Sequence, residues 1–189
     1  NVNLISSCDL FDWVVIDLEH GSISNSDLPN LINAIKLNNK IPLVRIPEIS
    51  KLYISRVLDA GFDGIILPNL KSLSEFESVS DYFYYPPKGK RGVGYSHSNL
   101  YGKNFEAKKL NKFLPIIIAQ IENKEVFNDL NVLMKNKLID AFFIGPYDLS
   151  ASLNITGDFK NKKYTNYLNN FKKSAKKNKK PIGIHCINT

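Results

Sequence analysis

The sequence predicts a parallel α/β fold on three observations: short apolar runs recur along the chain, amphipathic stretches separate them, and polar residues follow several of the runs. The runs are Trp13–Ile16, Pro42–Val44, Gly64–Leu67, Ile116–Ala119, Ala141–Ile144 and Pro181–Ile184. Most are near-continuously apolar rather than alternating, as expected of strands buried on both faces. Helical spacing of apolar residues marks Leu28 to Leu37, Tyr53 to Ala60, Leu73 to Tyr82, Val126 to Met134 and Tyr164 to Lys177. Ser26 or Asp27 is placed to cap the first of these. The stretch Tyr85 to Leu110 breaks the pattern. Its Pro86-Pro87 pair and Gly89, Gly92, Gly94 and Gly102 predict a long ordered loop or lid. Six strands suit either an open doubly wound sheet or part of a barrel, and periodicity alone does not choose.

A chain of 189 residues is expected to form one domain, spanning 1–189. Its 43% hydrophobic and 23% charged residues are ordinary for a globular protein. No apolar run reaches the roughly 18–20 residues that cross a membrane. Asn1 to Leu10 lacks the basic-then-apolar order of a secretory signal, so a cytoplasmic protein is expected. Cys8 and Cys186 offer no disulfide framework or CxxC spacing. The net charge of +7 first suggests nucleic acid, but nine lysines crowd into Lys160 to Lys180. There Tyr164, Tyr167, Leu168, Phe171 and Ala175 recur at helical spacing, so the lysines read as one solvated helix face. With only three arginines (Arg45, Arg56 and Arg91), neither nucleic acid nor membrane is expected as a partner.

The strand exits carry the chemistry. Asp17-Leu18-Glu19-His20-Gly21, Arg45-Ile46-Pro47, Gln120-Ile121-Glu122 and Gly145-Pro146-Tyr147-Asp148-Leu149-Ser150 each follow a strand candidate. In a parallel α/β fold such positions converge at the carboxyl ends of the strands, where ligands bind. Glu122 and Asp148 together, beside Gln120, suit a hard divalent cation, whereas Asp148 taken alone reads as a helix cap. His20 reads as a general base, a metal ligand or a satisfied structural histidine. Arg45 matches a substrate carboxylate, or else an ion pair with Asp17, Glu19 or Glu48. His97 and His185 carry weaker signals. No Ser-His-Asp order, P-loop or zinc spacing is present.

These residues, in this order, resemble the HpcH/HpaI aldolase family, the metal-dependent class II pyruvate aldolases. The matching stretches run from Phe11 to His20, then Val44-Arg45-Ile46-Pro47 and Leu58-Asp59-Ala60-Gly61. Tyr85-Pro86-Pro87 leading to Arg91-Gly92-Val93-Gly94, Gln120-Ile121-Glu122 and Phe143 to Ser150 complete the set. The resemblance implies a (β/α)8 TIM barrel, here incomplete, with about six of the eight strands and without the first strand and the last βα unit. It implies an aldehyde-lyase that cleaves or forms 4-hydroxy-2-oxo acids, through a metal-stabilised pyruvate enolate. By the same resemblance Glu122 and Asp148 hold the cation, Mg²⁺ or Mn²⁺, with Co²⁺ also admitted. Arg45 binds the oxo acid and stabilises its enolate, while Gln120 and the backbone at Tyr147 and Asp148 complete the substrate site. His20, paired with Asp59, handles the hydroxyl proton. The place of Asp59 near the end of a helix, before a strand, keeps Asp17 as the alternative partner. A homo-oligomer, trimer or hexamer, is implied as well. Two other readings stand beside this one: a citrate-lyase-like enzyme of the phosphoenolpyruvate/pyruvate barrel superfamily, and an inactive truncated remnant. Relatives place an arginine near the position of His97, so the aldehyde is left open.

Overall fold

The structure, a computed structural model, describes residues 2–112 and 114–186. In chain order the elements are α1 (Val2–Ser6), β1 (Trp13–Asp17), α2 (Leu28–Leu37), β2 (Ile41–Arg45), α3 (Lys51–Ala60), β3 (Gly64–Leu67) and α4 (Leu73–Ser80). They continue with α5 (Ala107–Leu110), β4 (Ile116–Ile121), α6 (Leu130–Lys135), β5 (Ala141–Ile144), α7 (Pro146–Ser152), α8 (Lys162–Asn178) and β6 (Ile182–Ile184). This is an α/β fold, and its described residues form two compact units, 2–66 with 79–116 and 67–78 with 117–186.

In the first unit β1 pairs parallel with β2 from Trp13↔Ile41 to Asp17↔Arg45, and β2 with β3 from Leu43↔Gly64 to Arg45↔Ile66. All four residues of β3 are buried, as its unbroken apolar run predicts. Helix α2 buries Leu28, Ile32 and Ile35, and α3 buries Ile54, Val57 and Leu58, each set on one helical face. Each such side chain contributes about 1.5–3 kcal/mol of burial free energy. Helix α3 begins where Ser50 Oγ accepts the Tyr53 N–H at 3.4 Å. It ends at Gly61, whose φ of 104° suits glycine. A Cβ there would stand 2.6 Å from His97 Nδ1, so the glycine also lets the 85–110 segment approach the helix end. In α2, Asp27 occupies the N-cap position but makes no side-chain cap bond.

The 85–110 segment is a structured loop, as its composition predicts. The N–H groups of Lys90 and Arg91 donate to Asp81 O and Tyr84 O at 2.8 and 3.0 Å. Farther along, Ser96 and Asn99 form a reciprocal capping box around the 3₁₀ turn His97–Asn99.

In the second unit β4 pairs parallel with β5 from Ile118↔Ala141 to Ile121↔Ile144, and β5 with β6 from Phe142↔Ile182 to Ile144↔Ile184. The single helix expected over Val126 to Met134 is instead a 3₁₀ turn, Lys124–Asn128, followed by α6. The break falls at Asp129, which leaves the helical region (φ −105°, ψ 1°) while its Oδ2 accepts the Leu73 N–H at 2.8 Å. Helix α8 buries Tyr164, Phe171, Ser174 and Ala175 and leaves its lysines exposed, so the basic cluster is a solvated face. Both cysteines are free thiols.

Candidate active site

In the first unit, the parallel register sets Asp17 and Arg45 side by side at the ends of β1 and β2. Arg45 Nε donates to Asp17 Oδ1 at 2.9 Å and Nη2 to Oδ2 at 2.5 Å, a bidentate pair. Its Nη1 lies 3.0 Å from Glu19 Oε2, so one guanidinium is clamped between two carboxylates. Asp17 Oδ1 also accepts the N–H of Glu19 at 3.0 Å and of His20 at 3.4 Å, which shapes the turn after β1. Gly21 completes that turn, because a Cβ there would stand 2.2 Å from Asp17 O. Burial, the largest influence on the Asp17 carboxyl, pushes its pKa up. The hydrogen bond from Arg45, the Glu19 N–H, the Arg45 charge and the His20 N–H together outweigh it and hold the group below its ordinary value. His20 is exposed, with its Nε2 3.9 Å from Glu19 Oε2.

Asp59, also in the first unit, faces Arg91 and Tyr85. Its Oδ1 accepts from Arg91 Nη2 at 2.5 Å and Nε at 3.2 Å, and from the Tyr85 hydroxyl at 3.4 Å. The Arg91 guanidinium stacks 4.2 Å from the centre of the Tyr85 ring and is 4% exposed. Arg91 drew attention in the sequence only as part of a motif, and its pairing required two segments distant in the chain to meet.

In the second unit the carboxylate of Glu122, directly after β4, is buried at 5% exposure. Its Oε1 accepts from Gln120 Nε2 at 2.7 Å and its Oε2 from the Asn69 N–H at 2.8 Å. Gln120 is buried too, and its Oε1 has no hydrogen-bond partner among the described residues. A Pro-Asn pair just past a strand is the sequence signal that points to Asn69, whose φ of 47° is a left-handed conformation that Asn tolerates. Asp148 lies in the first turn of α7 and is exposed, while Gly145 holds the N-cap position. Tyr147 is half exposed and packs edge-on against Phe159 at 5.1 Å. The cap reading of Asp148 therefore has no cap bond behind it.

A match to the HpcH/HpaI aldolase/citrate lyase family extends over residues 4–189. The chain belongs to that family. A 5-keto-4-deoxy-D-glucarate aldolase of Klebsiella pneumoniae is 31% identical over 177 residues, which are 92% of this chain and 68% of that protein. The crystal structure of an HpcH/HpaI aldolase/citrate lyase family protein from Burkholderia cenocepacia superposes with a TM-score of 0.88 at 24% identity, over 97% of this chain and 74% of that one. The citrate synthase SbnG superposes at 0.83 with 26% identity, over 99% and 73% of the two chains. More distantly, CitE of Mycobacterium tuberculosis, in complex with magnesium and acetoacetate, superposes at 0.59 with 13% identity, over 97% and 67%.

HpcH/HpaI membership makes the chain one of a family of carbon–carbon lyases. The residues bear on the cation that the resemblance implies. Among the described residues no group of three or more His, Cys, Asp or Glu side chains gathers as a metal cage. The second unit carries oxygen donors at the expected positions: the buried Glu122 carboxylate beside the unpartnered Gln120 oxygen and, in the first turn of α7, the exposed Asp148. Oxygen donors of this kind fit a hard divalent ion that keeps several waters. Nor does any helix among the described residues have the length and apolarity to cross a membrane.

Proposed function

We propose that this HpcH/HpaI member is a metal-dependent pyruvate aldolase, cleaving a 4-hydroxy-2-oxo acid to pyruvate and an aldehyde or running the reverse addition. The observation that carries the reading is the buried Glu122 carboxylate, held by Gln120 and the Asn69 N–H beside an unpartnered amide oxygen. Glu122 and Asp148 would hold a divalent cation, Mg²⁺ or Mn²⁺, which when bound supplies Lewis-acid polarisation of the 2-oxo group. Arg45, its fork aimed by Asp17 and Glu19, would bind the oxo acid and offset negative charge on its oxygen. The backbone N–H groups of Tyr147 and Asp148, with the Gln120 oxygen, would orient the substrate. His20 would take the hydroxyl proton during cleavage and return it during addition. Asp59 is the partner for His20 by family likeness, with Asp17 the alternative because its Oδ1 already accepts the His20 N–H. By the same likeness the six strands belong to a (β/α)8 barrel and the protein assembles as a homo-oligomer.

The test is pyruvate release from a panel of 4-hydroxy-2-oxo acids headed by 5-keto-4-deoxy-D-glucarate, with Mg²⁺ or Mn²⁺ and again with EDTA. Release that EDTA and Glu122→Ala both abolish is the expected result. No release from folded, metal-supplemented protein would sink the aldolase reading for these substrates. The likeness to a citrate synthase favours a second reading, an enzyme of citrate-like acids, and citrate belongs in the same panel for that reason.

A further inference from the structure

We propose that Gly145 is a positioning residue for the Glu122 carboxylate, present for the space it leaves rather than for its conformational freedom. The inference rests on the cation-binding reading of Glu122 given above. With φ −90° and ψ 98°, Gly145 adopts backbone angles open to any L-residue, so no turn geometry calls for glycine. What a side chain would meet first is Glu122: a Cβ at position 145 would stand 2.5 Å from Oε1, 2.7 Å from Cγ and 3.0 Å from Cδ. Such separations lie well inside van der Waals contact.

Neither partner can retreat without loss. The Gly145 N–H donates to Ile121 O at 3.2 Å and Gly145 O accepts the Leu149 N–H at 3.0 Å, which ties the backbone to β4 on one side and to the first turn of α7 on the other. The Glu122 carboxylate is held by Gln120 Nε2 and the Asn69 N–H. Its position thus rests on a side-chain amide, on a backbone N–H and on the space that a methyl would fill. An added methyl leaves the carboxylate as the part free to move, since it is the end of a flexible side chain. Its displacement breaks one or both hydrogen bonds and shifts the oxygen offered to a cation. Groups that orient a ligating carboxylate in this way change metal affinity by about 10–100-fold when altered.

The experiment is Mn²⁺ titration of the full chain, read by calorimetry or by the free-Mn²⁺ paramagnetic signal, with thermal melts on the same samples. Wild type, Glu122→Ala and Gly145→Ala are compared. The expected result is Mn²⁺ binding by wild type, its loss in Glu122→Ala, and a dissociation constant raised about tenfold or more in Gly145→Ala, the melts showing that each variant is folded. Wild-type affinity in Gly145→Ala overturns the inference. Equal binding by wild type and Glu122→Ala, or none by either, overturns the cation reading itself and is distinguishable for that reason. Should Gly145→Ala fail to fold, the double variant Gly145→Ala/Glu122→Ala decides, because it removes the three atoms nearest the added methyl. Recovery of folding in the double variant upholds the contact, and continued failure overturns it.

Discussion

Arg45 and Asp17 show how a single parallel register brings two candidate site residues together. Position 17 on β1 pairs with position 45 on β2, so a carboxylate and a guanidinium meet at two strand ends. The Asp17 carboxyl lies below its ordinary value of 3.8, which means the fold favours its ionised form. The stability it contributes is complete above that value and is lost as pH falls through the lower folded value. Wild type is therefore expected to lose more stability than Asp17→Asn between about pH 6 and about pH 3, measured by urea unfolding at each pH. Equal losses would show that the pair adds nothing to the pH dependence. Asp59 shows the opposite case, a carboxylate marked by family likeness whose partners here are Arg91 and Tyr85.

At the level of elements, short caps and breaks decide where the helices run. Ser50 is half of what starts α3, and Gly61 in the left-handed region is what stops it. Ser50→Ala is expected to lower stability by about 1 kcal/mol in urea unfolding, with no effect on Mn²⁺ affinity. A loss of several kcal/mol would mean that Ser50 does more than cap. Asp129 exemplifies a break: its carboxylate serves the Leu73 N–H instead of a helix of its own, and one expected helix becomes a 3₁₀ turn and α6. Strands were the easier elements to read, because runs such as Gly64–Leu67 are apolar throughout and bury every residue.

For the molecule, the reading to test is that folding and cation binding are linked. A ligand that binds only the native state raises stability by about 2.7 kcal/mol at a hundred times its dissociation constant. In a chain of this length that corresponds to about 5–10 °C in melting temperature. Saturating Mn²⁺ is expected to raise the wild-type melting temperature by that amount and to leave Glu122→Ala unmoved. An equal rise in both would place the ion elsewhere. The charge of +7 belongs to the same scale and has a bland origin, since the exposed lysines of α8 form the wet side of an amphipathic helix.

The sequence by itself determined the strand-and-helix alternation, the family and the residues at the strand exits, because hydrophobic periodicity and local motifs are one-dimensional signals. Gln120 and Glu122 could be singled out in that way, two residues apart at the end of one apolar run. Tertiary structure alone decided which polar groups meet. The pairing of Asp59 with Arg91 spans 32 positions, and the support of Glu122 by the Asn69 N–H spans 53. The space left by Gly145 likewise exists only once position 145 is folded against Glu122. Hydrogen bonds and steric limits act over a few ångströms, and only the fold sets which distant residues come that close.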